Sequence, residues 1–193
     1  MVTHLPTLPA GAPLAEVFRR FPATSLPIVE YHEVVMRAPG PFDLGQRELI
    51  AAYVSGINAC DYCHGVHAQV AKRYGIEVCV LEAALRDLDT APVEDRMRPV
   101  LRFVGKLTRT PALVTQADAN EVYSAGWDET ALHVATMVCA LFNFMNRMVE
   151  GHGITAGPQY YAESGTRLHD IGYGGLARLV AADSPTNPDA RTA

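Results

Sequence analysis

Four residues in one stretch of the chain have types and spacings suited to thiol chemistry: Glu48, Cys60, Cys63 and His67. The two cysteines are spaced i, i+3, which on a helix places both thiols on one face, within reach of a reversible disulfide. His67 follows Cys63 by four residues, so its imidazole would lie beside that thiol and could accept its proton. Glu48 is a candidate to orient the histidine, as the third group of a catalytic triad does.

The helix that carries the cysteines is predicted to begin at Asn58, whose side chain can cap it. Cys60 would then lie in the first turn, where unpaired backbone N–H groups favour the thiolate. Which cysteine attacks first stays open. The helix start favours Cys60 for exchange with a disulfide, whereas the nearby imidazole favours Cys63 for reaction with peroxide. His64 either tunes Cys60 or packs as an ordinary histidine.

The same stretch also matches two metal-related patterns. The CxxCH string at 60–64 is the attachment signal of c-type haem, but attachment follows export, and the N-terminus has no cationic start followed by an apolar core. Zinc could use Cys60, Cys63, His64 and His67. On a straight helix these form a stripe about 10 Å long, whereas tetrahedral zinc needs ligands within about 2.0–2.3 Å. A zinc- or haem-binding module using the two cysteines and a nearby histidine stays an alternative to redox chemistry.

The elements that must position these residues are predicted to be helices throughout. Apolar residues recur with helical spacing between Gly and Pro breaks, and no run alternates with period two, so the fold class is all-α, a compact multi-helix bundle. The predicted helices are 13–20, 25–37, 44–55, 58–74, 77–88, 94–108, 115–124, 128–151 (capped by Asp128), 158–170 and 174–181. We expect an extended N-terminal arm at 1–12, a single all-helical domain at 13–182 and a disordered tail at 183–193.

Two predicted helices end alike, at Gly75 and at Gly153, each followed by isoleucine. Each ending follows an acidic residue, Glu48 or Glu129, at a similar distance, but the second stretch has no cysteine pair. The similarity is compatible with an internal pseudo-repeat in which one half holds the site.

The composition is that of a soluble globular protein. The chain has 193 residues, 49% of them hydrophobic and 19% charged, which suffices for one domain with a hydrophobic core. The formal net charge is -5 without a basic cluster, which disfavours nucleic acid as a partner. No uninterrupted apolar stretch approaches the ~20 residues of a membrane helix. We therefore expect a cytoplasmic protein, where a close cysteine pair indicates catalysis or metal binding more often than a structural disulfide.

Several other residues have ordinary explanations. Cys79 and Cys139 lie in apolar helical runs and are expected in the core. Asn143, Asn146 and Arg147 lie on an otherwise apolar helix, where they either line the site or a subunit interface, or hydrogen-bond between helices.

The spacing of the four motif residues resembles that of the alkylhydroperoxidase D-like and carboxymuconolactone decarboxylase-like family: Glu, eleven residues, Cys, two residues, Cys, three residues, His. In this chain the pattern is Glu48, Cys60, Cys63 and His67. Three further stretches, at 106–111, 125–128 and 141–147, resemble the peroxidase-related branch of the family. The resemblance covers roughly residues 15 to 182.

The resemblance implies an all-helical antioxidant enzyme that forms dimers, trimers or hexamers, reduces hydroperoxides and is re-reduced by a lipoyl- or thioredoxin-like thiol donor. Cys63 would be the thiol activated through His67, with Glu48 relaying by way of a water. Cys60 would be the more exposed partner, which forms the disulfide and meets the reductant. In alkylhydroperoxidase D a histidine precedes the second cysteine, and here that residue is Tyr62. The lactone decarboxylases proper lack the cysteine pair, so its presence favours the redox branch.

We therefore predict a thiol-dependent peroxidase that converts ROOH and two thiols into ROH, water and a disulfide, through a sulfenic acid. No metal, flavin, haem or other cofactor is expected, and neither is a membrane partner. The first alternative is a thiol–disulfide oxidoreductase acting on a protein or lipoyl disulfide.

Overall fold

The structure, a computed structural model, describes residues 3–182. Within that range the chain forms α-helices and contains no β-strand, so the all-α fold class is confirmed. The helices are α1 (Leu14–Arg20), α2 (Pro22–Arg37), α3 (Leu44–Ile57), α4 (Asp61–Arg73), α5 (Val78–Arg86), α6 (Met97–Arg109), α7 (Gln116–Ser124), α8 (Glu129–Gly151) and α9 (Pro158–Ala182), with a short 3-10 turn at Pro111–Leu113. The tail predicted at 183–193 lies outside the described residues.

The N-terminal segment contains no helix between residue 3 and the start of α1. The backbone N–H of His4 donates to the carbonyl oxygen of His152 at 2.9 Å. This bond attaches the segment to the end of α8.

α3 lies at the centre of the fold and is buried on every side from Arg47 to Ser55. Asp43 starts it with a capping box: its carboxylate accepts from the Gln46 backbone N–H at 2.7 Å, and the Gln46 side chain accepts from the Asp43 N–H at 3.1 Å. α3 packs against α4, α5, α6 and α8. A residue on any face of α3 is therefore inside the protein, and this explains why Glu48 is buried.

The joint between α3 and α4 differs from the prediction, because Asn58 does not cap α4. Cys60 is the N-cap residue, and Asn58 instead ends α3. Its amide donates to the side-chain oxygens of Asn143 at 3.1 Å and Asn146 at 2.8 Å. Ala59 has a φ of 54°, a left-handed turn that lets one helix end and the next begin within three residues. Cys63 thus lies in the first turn of α4.

α8 begins where predicted, since the Asp128 carboxylate accepts from the Ala131 backbone N–H at 2.8 Å. In the described part of the chain it is the one helix long and apolar enough to cross a membrane, but 44% of its most apolar 18-residue stretch is buried inside the protein. It packs against α3 and α6. A core helix of a soluble protein has the same length and composition.

α9 consists of two helical segments that meet at Gly172, close to the break predicted at 170–174. Gly172 has a φ of 64°, which glycine adopts without the penalty that a Cβ brings, and a Cβ there would lie 3.1 Å from a Glu33 carboxylate oxygen. That carboxylate accepts from the Gly174 backbone N–H at 2.7 Å. The break places Tyr173 in the interior of the protein, where it is buried.

Two further expectations are tested by the fold. Cys139 is buried as predicted, but the prediction for Cys79 is wrong, because this cysteine is exposed. α5 is amphipathic and turns Leu81 and Ala84 to the core, which leaves Cys79 outside.

The two segments compared for an internal pseudo-repeat share the structure of their helix ends but not the number of helices before them. Gly75 and Gly153 both have positive φ, and the isoleucine after each donates back to a carbonyl oxygen five residues earlier, at 3.0 and 3.1 Å. The first ending follows two helices, α3 and α4, whereas the second follows the single helix α8.

Candidate active site

Glu48 and His67 are in direct contact. The Nδ1 atom of His67 lies 2.7 Å from Oε2 of Glu48, so the contact has no room for the water that the resemblance implied. Both side chains are buried, with exposed fractions of 0% for Glu48 and 8% for His67. Because an ionised carboxylate can only accept, Nδ1 carries a proton and donates it, and Nε2 is the ring nitrogen that remains for proton transfer.

Arg37 and Tyr173 complete the surroundings of Glu48. Arg37 donates to Oε1 at 2.8 Å, and the Tyr173 hydroxyl donates to the same oxygen at 3.3 Å. Burial alone would raise the pKa of Glu48, but His67 and Arg37 outweigh it and hold that pKa below its ordinary value. Burial, followed by the negative charge of Glu48, raises the pKa of Tyr173 well above its ordinary value, so Tyr173 stays a donor. Glu48 is therefore a fixed carboxylate.

The two cysteines differ in position. Both are reduced and buried, Cys60 at 0% exposure and Cys63 at 3%. The expectation that Cys60 is the more exposed partner is therefore wrong: Cys60 is enclosed at the α3–α4 joint. The hydrogen bond with Cys63, then burial and the charge of Cys63, raise the pKa of the Cys60 thiol, and a hydrogen bond with Glu150 adds to the effect. Cys60 therefore keeps its proton and can share it with the Cys63 sulfur.

A cavity of about 90 Å³ lies against Cys63 and His67. It is smaller than the engineered cavity of about 150 Å³ that takes up benzene, so it accommodates a small apolar group. Cys60 does not line it. The lining is predominantly apolar and comes from α1, α2, α4, α8 and α9. Its members are Leu14, Ala15, Phe18, Val29, His32, Tyr62, Cys63, Val66, His67, Phe142, Met145, Tyr160, Ser164, Arg167, Leu168, Tyr173 and Leu176.

Tyr62, which stands where alkylhydroperoxidase D has a histidine, forms part of the cavity wall. Its hydroxyl is 2.8 Å from the hydroxyl of Tyr160. Burial, followed by the charge of Tyr160, raises the pKa of Tyr62 well above its ordinary value, so it does not act as a base at neutral pH. His64 packs as an ordinary histidine, since its Nδ1 donates to the Ala52 carbonyl oxygen at 2.9 Å.

The asparagines of α8 hydrogen-bond between helices. Besides accepting from Asn58, Asn143 donates to the Thr108 hydroxyl at 3.2 Å, and Asn146 donates to the Ser55 hydroxyl at 3.0 Å. Arg147 donates back to the carbonyl oxygen of Asn143 at 2.7 Å. These bonds fix α8 against α3 and α6, beside the joint that carries Cys60.

The zinc alternative lacks a ligand set in the part of the chain that the structure describes. There, no three His, Cys, Asp or Glu side chains are grouped so that they could hold a metal ion. His64 is engaged by a backbone carbonyl and His67 by Glu48.

Sequence reasoning missed three polar residues of this site: Arg37, Tyr173 and His32. Arg37 is 11 residues from Glu48, and Tyr173 is 125 residues away. Neither has a short-range spacing to the motif that could have indicated a contact. His32 is a single histidine in an apolar helix, and such a residue is more often a packed core histidine than a site residue.

Comparison with known proteins supports the family assignment. Residues 22–103 match the model of the carboxymuconolactone decarboxylase family, a range that contains all four motif residues. A peroxidase-related protein from Silicibacter sp. TM1040 superposes with a TM-score of 0.71 and 23% identity, over 77% of this chain and 78% of that one. An alkylhydroperoxidase AhpD core, a peroxidase-related protein from Ralstonia eutropha JMP134, superposes with a TM-score of 0.70 and 23% identity, over 75% and 76% of the two chains. No curated protein matches the chain. The two structures show the shared fold, and the family match supports the resemblance predicted from the motif.

Proposed function

We propose, from the match of residues 22–103 to the carboxymuconolactone decarboxylase family model, that this chain is a thiol-dependent peroxidase acting through Cys60 and Cys63. One observation carries the proposal. Cys63 lines an apolar cavity together with His67, whose Nδ1 is held by the buried Glu48 carboxylate at 2.7 Å. This arrangement provides a thiol, a base and a group that orients the base, next to a space for an apolar substrate.

The first half of the proposed reaction takes place at Cys63. Nε2 of His67 accepts the thiol proton, and the resulting thiolate attacks the terminal oxygen of the hydroperoxide. The S–O bond forms as the O–O bond breaks, and the alkoxide takes the proton from the His67 imidazolium and leaves as ROH. The product on the protein is the sulfenic acid of Cys63. Glu48 stabilises the imidazolium during this step, as the carboxylate of a triad does.

The second half closes the disulfide. The Cys60 sulfur attacks the sulfenic sulfur, the thiol proton and the S–OH group leave as water, and the Cys60–Cys63 disulfide forms. The position of Cys60 supports this order, because its raised pKa and full burial make it the slower thiol to ionise and the less accessible to peroxide. A dithiol donor of lipoyl or thioredoxin type then returns the pair to the reduced state. Because Cys60 is enclosed, we place the donor's first contact at Cys63.

The order of attack is tested by trapping the sulfenic acid. Cys60→Ser is expected to react with one equivalent of tert-butyl hydroperoxide, which is smaller than an aromatic hydroperoxide, and stop at a dimedone-reactive Cys63. Cys63→Ser is expected to give no dimedone adduct at Cys60. An adduct at Cys60 in Cys63→Ser, with Cys63 unmodified in Cys60→Ser, would overturn the assignment of the attacking thiol.

The alternative of a thiol–disulfide oxidoreductase uses the same pair with a protein or lipoyl disulfide as substrate. Exchange does not need an oxygen leaving group, so His67→Ala would reduce peroxide consumption more than exchange with oxidised lipoamide if the peroxidase role is specific. An equal loss of both activities would favour the alternative.

We also propose that the protein is cytoplasmic and that it forms a homo-oligomer. Exposed apolar side chains on α2 and α8, among them Tyr31, Val34 and Phe144, offer a surface that a second copy could cover. Light scattering during size-exclusion chromatography tests this. A monomer that persists at micromolar concentration would contradict it.

A further inference from the structure

A second imidazole lies beside the same cavity. His32, on α2, is 4% exposed and is among the residues that line the cavity with Cys63 and His67. Phe142 contacts both imidazoles edge-on, with ring centroids 6.0 Å from His32 and 4.5 Å from His67. Tyr173 contacts His32 on another side, at 5.2 Å. His32 therefore belongs to the wall of the cavity rather than to a separate part of the core.

The tautomer of His32 is fixed by one hydrogen bond. Its Nδ1 lies 2.7 Å from the carbonyl oxygen of Ile28, and because a carbonyl can only accept, Nδ1 carries the proton. Nε2 is then a lone-pair acceptor. Among residues 3–182 no group hydrogen-bonds to this Nε2, and it is not one of the fully enclosed polar atoms without a partner, so it opens into the cavity.

His32 is neutral at physiological pH. Burial lowers its pKa to about 4, although the bond with Ile28 opposes the shift, and the charge of His67 lowers the pKa further. The two histidines therefore differ in state during the proposed reaction. Once His67 has taken the proton of Cys63 it is a donor, whereas His32 still presents an acceptor to the same space.

A hydroperoxide needs such an acceptor. Its terminal oxygen, the atom that sulfur must attack, carries the single O–H group of the molecule. In a mostly apolar cavity an unpaired O–H loses its hydrogen bond to water without replacement, which costs about 1–3 kcal/mol. An acceptor on the wall therefore both admits the O–H group and determines where the terminal oxygen lies.

We propose that Nε2 of His32 accepts the hydrogen bond from the O–H group of the bound hydroperoxide and so directs its terminal oxygen to the Cys63 sulfur. The inference rests on the proposed function. The hydrogen stays on the transferred oxygen throughout, first in the hydroperoxide and then in the sulfenic acid of Cys63. In both species it is donated in a hydrogen bond to Nε2 of His32. The ligand class follows from this geometry, namely small molecules with an apolar body and one O–H donor, which are hydroperoxides and the alcohols they yield.

The test uses two unreactive ligands small enough for the cavity, 2-methylpropan-2-ol and its methyl ether, of which the alcohol alone can donate. Their affinities for the full-length reduced protein are measured by calorimetry or by protection of Cys63 from iodoacetamide. The wild-type protein is expected to bind the alcohol about 5- to 10-fold more tightly, the effect of one hydrogen bond. Equal affinities in the wild type would overturn the inference without any variant.

Two substitutions separate the acceptor from the packing role. His32→Asn keeps an amide donor where Nδ1 lies and loses the acceptor, whereas His32→Gln carries an amide to the position of Nε2. The alcohol preference is expected to disappear in His32→Asn and to return in His32→Gln. His32→Phe, which keeps a ring but no acceptor, replaces His32→Asn if that variant does not fold. His133→Asn, at an exposed histidine of α8, is the control.

A preference that persists in folded His32→Asn or His32→Phe would overturn the inference. Because neither ligand is an oxidant, this result is independent of the peroxidase proposal. If the protein consumes peroxide but both variants keep the alcohol preference, the role of His32 is contradicted and the peroxidase proposal is not. If the preference depends on His32 but the thiols survive peroxide, the peroxidase proposal is contradicted and the role of His32 is not.

Discussion

Oε2 of Glu48 lies 2.7 Å from Nδ1 of His67, while Oε1 of the same carboxylate accepts from Arg37 at 2.8 Å. The carboxylate is fully buried, and each of its two oxygens accepts a hydrogen bond from one of these groups. As a result, Nδ1 of the imidazole is held on the carboxylate, and Nε2 is left for the exchange of a proton with Cys63, which lines the same cavity.

Glu48→Gln should slow the reaction of Cys63. The amide can keep the hydrogen bond but removes the negative charge that stabilises the imidazolium, so His67 becomes a weaker base. We expect alkylation of Cys63 by iodoacetamide at pH 7 to slow by about 10-fold or more, because a neutral amide supports the imidazolium less well than a carboxylate does. Peptide mass spectrometry resolves the sites, and the exposed Cys79 serves as an internal control in each sample. Glu129→Gln, at an exposed carboxylate, is the matched control; equal rates in both variants would contradict the role of Glu48.

Arg37→Gln should destabilise the fold. The Arg37 side chain is 11% exposed and Glu48 is fully buried, so removal of the cation leaves a buried charge with one fewer partner. We expect the free energy of unfolding to fall by about 3 kcal/mol. Arg102→Gln, at an exposed arginine paired with Asp89 and Glu121, should cost no more than about 1 kcal/mol. Urea unfolding of the two variants measures the difference, and similar losses would mean that the buried pair contributes no more than a surface pair.

The contacts within the motif could be predicted because they are local. His67 follows Cys63 by one turn of α4, and α3 and α4 are joined by three residues, so Glu48 could face the histidine across a helix pair. The residues that sequence analysis missed come from elements far away in the chain. Arg37 and His32 lie on α2 and Tyr173 on α9, and long-range packing alone brings them to Glu48 and the cavity.

The wrong predictions also have tertiary causes. Asn58 is a good capping residue by type, but Asn143 and Asn146 on α8 engage its amide. One error has a local cause instead: the second helix was expected from residue 25, yet it begins at Pro22, a residue type that suits a first helical turn. The low exposure of Cys60 depends on how the α3–α4 joint meets its neighbours, which the spacing of the cysteines does not encode.

The free energy of unfolding should fall on acidification, and part of this fall should come from His32. Its pKa is about 4 in the folded protein, against about 6.5 for an unfolded chain, so the unfolded state binds more protons between these values. The free energy of unfolding therefore falls as the pH drops below 6.5, and His32 accounts for about 2 kcal/mol of the loss by pH 5.

Glu48, which also acts on His32, adds to the loss: its depressed pKa means that its stabilising effect is lost as the pH falls through that value. That loss is common to the wild type and to His32→Gln, so the difference between the two isolates His32. Urea unfolding at pH 7.5 and pH 5 should show a smaller loss of stability in the variant. Identical losses would show that His32 does not titrate as a buried group.

The central claim, that Cys60 and Cys63 form a peroxide-reactive pair, is tested most directly by a free-thiol count before and after one equivalent of tert-butyl hydroperoxide. The chain has four cysteines. We predict the loss of two thiols in the wild-type protein and a Cys60–Cys63 disulfide in the peptide mass spectrum, with Cys79 and Cys139 unchanged. Survival of all four thiols would contradict the claim.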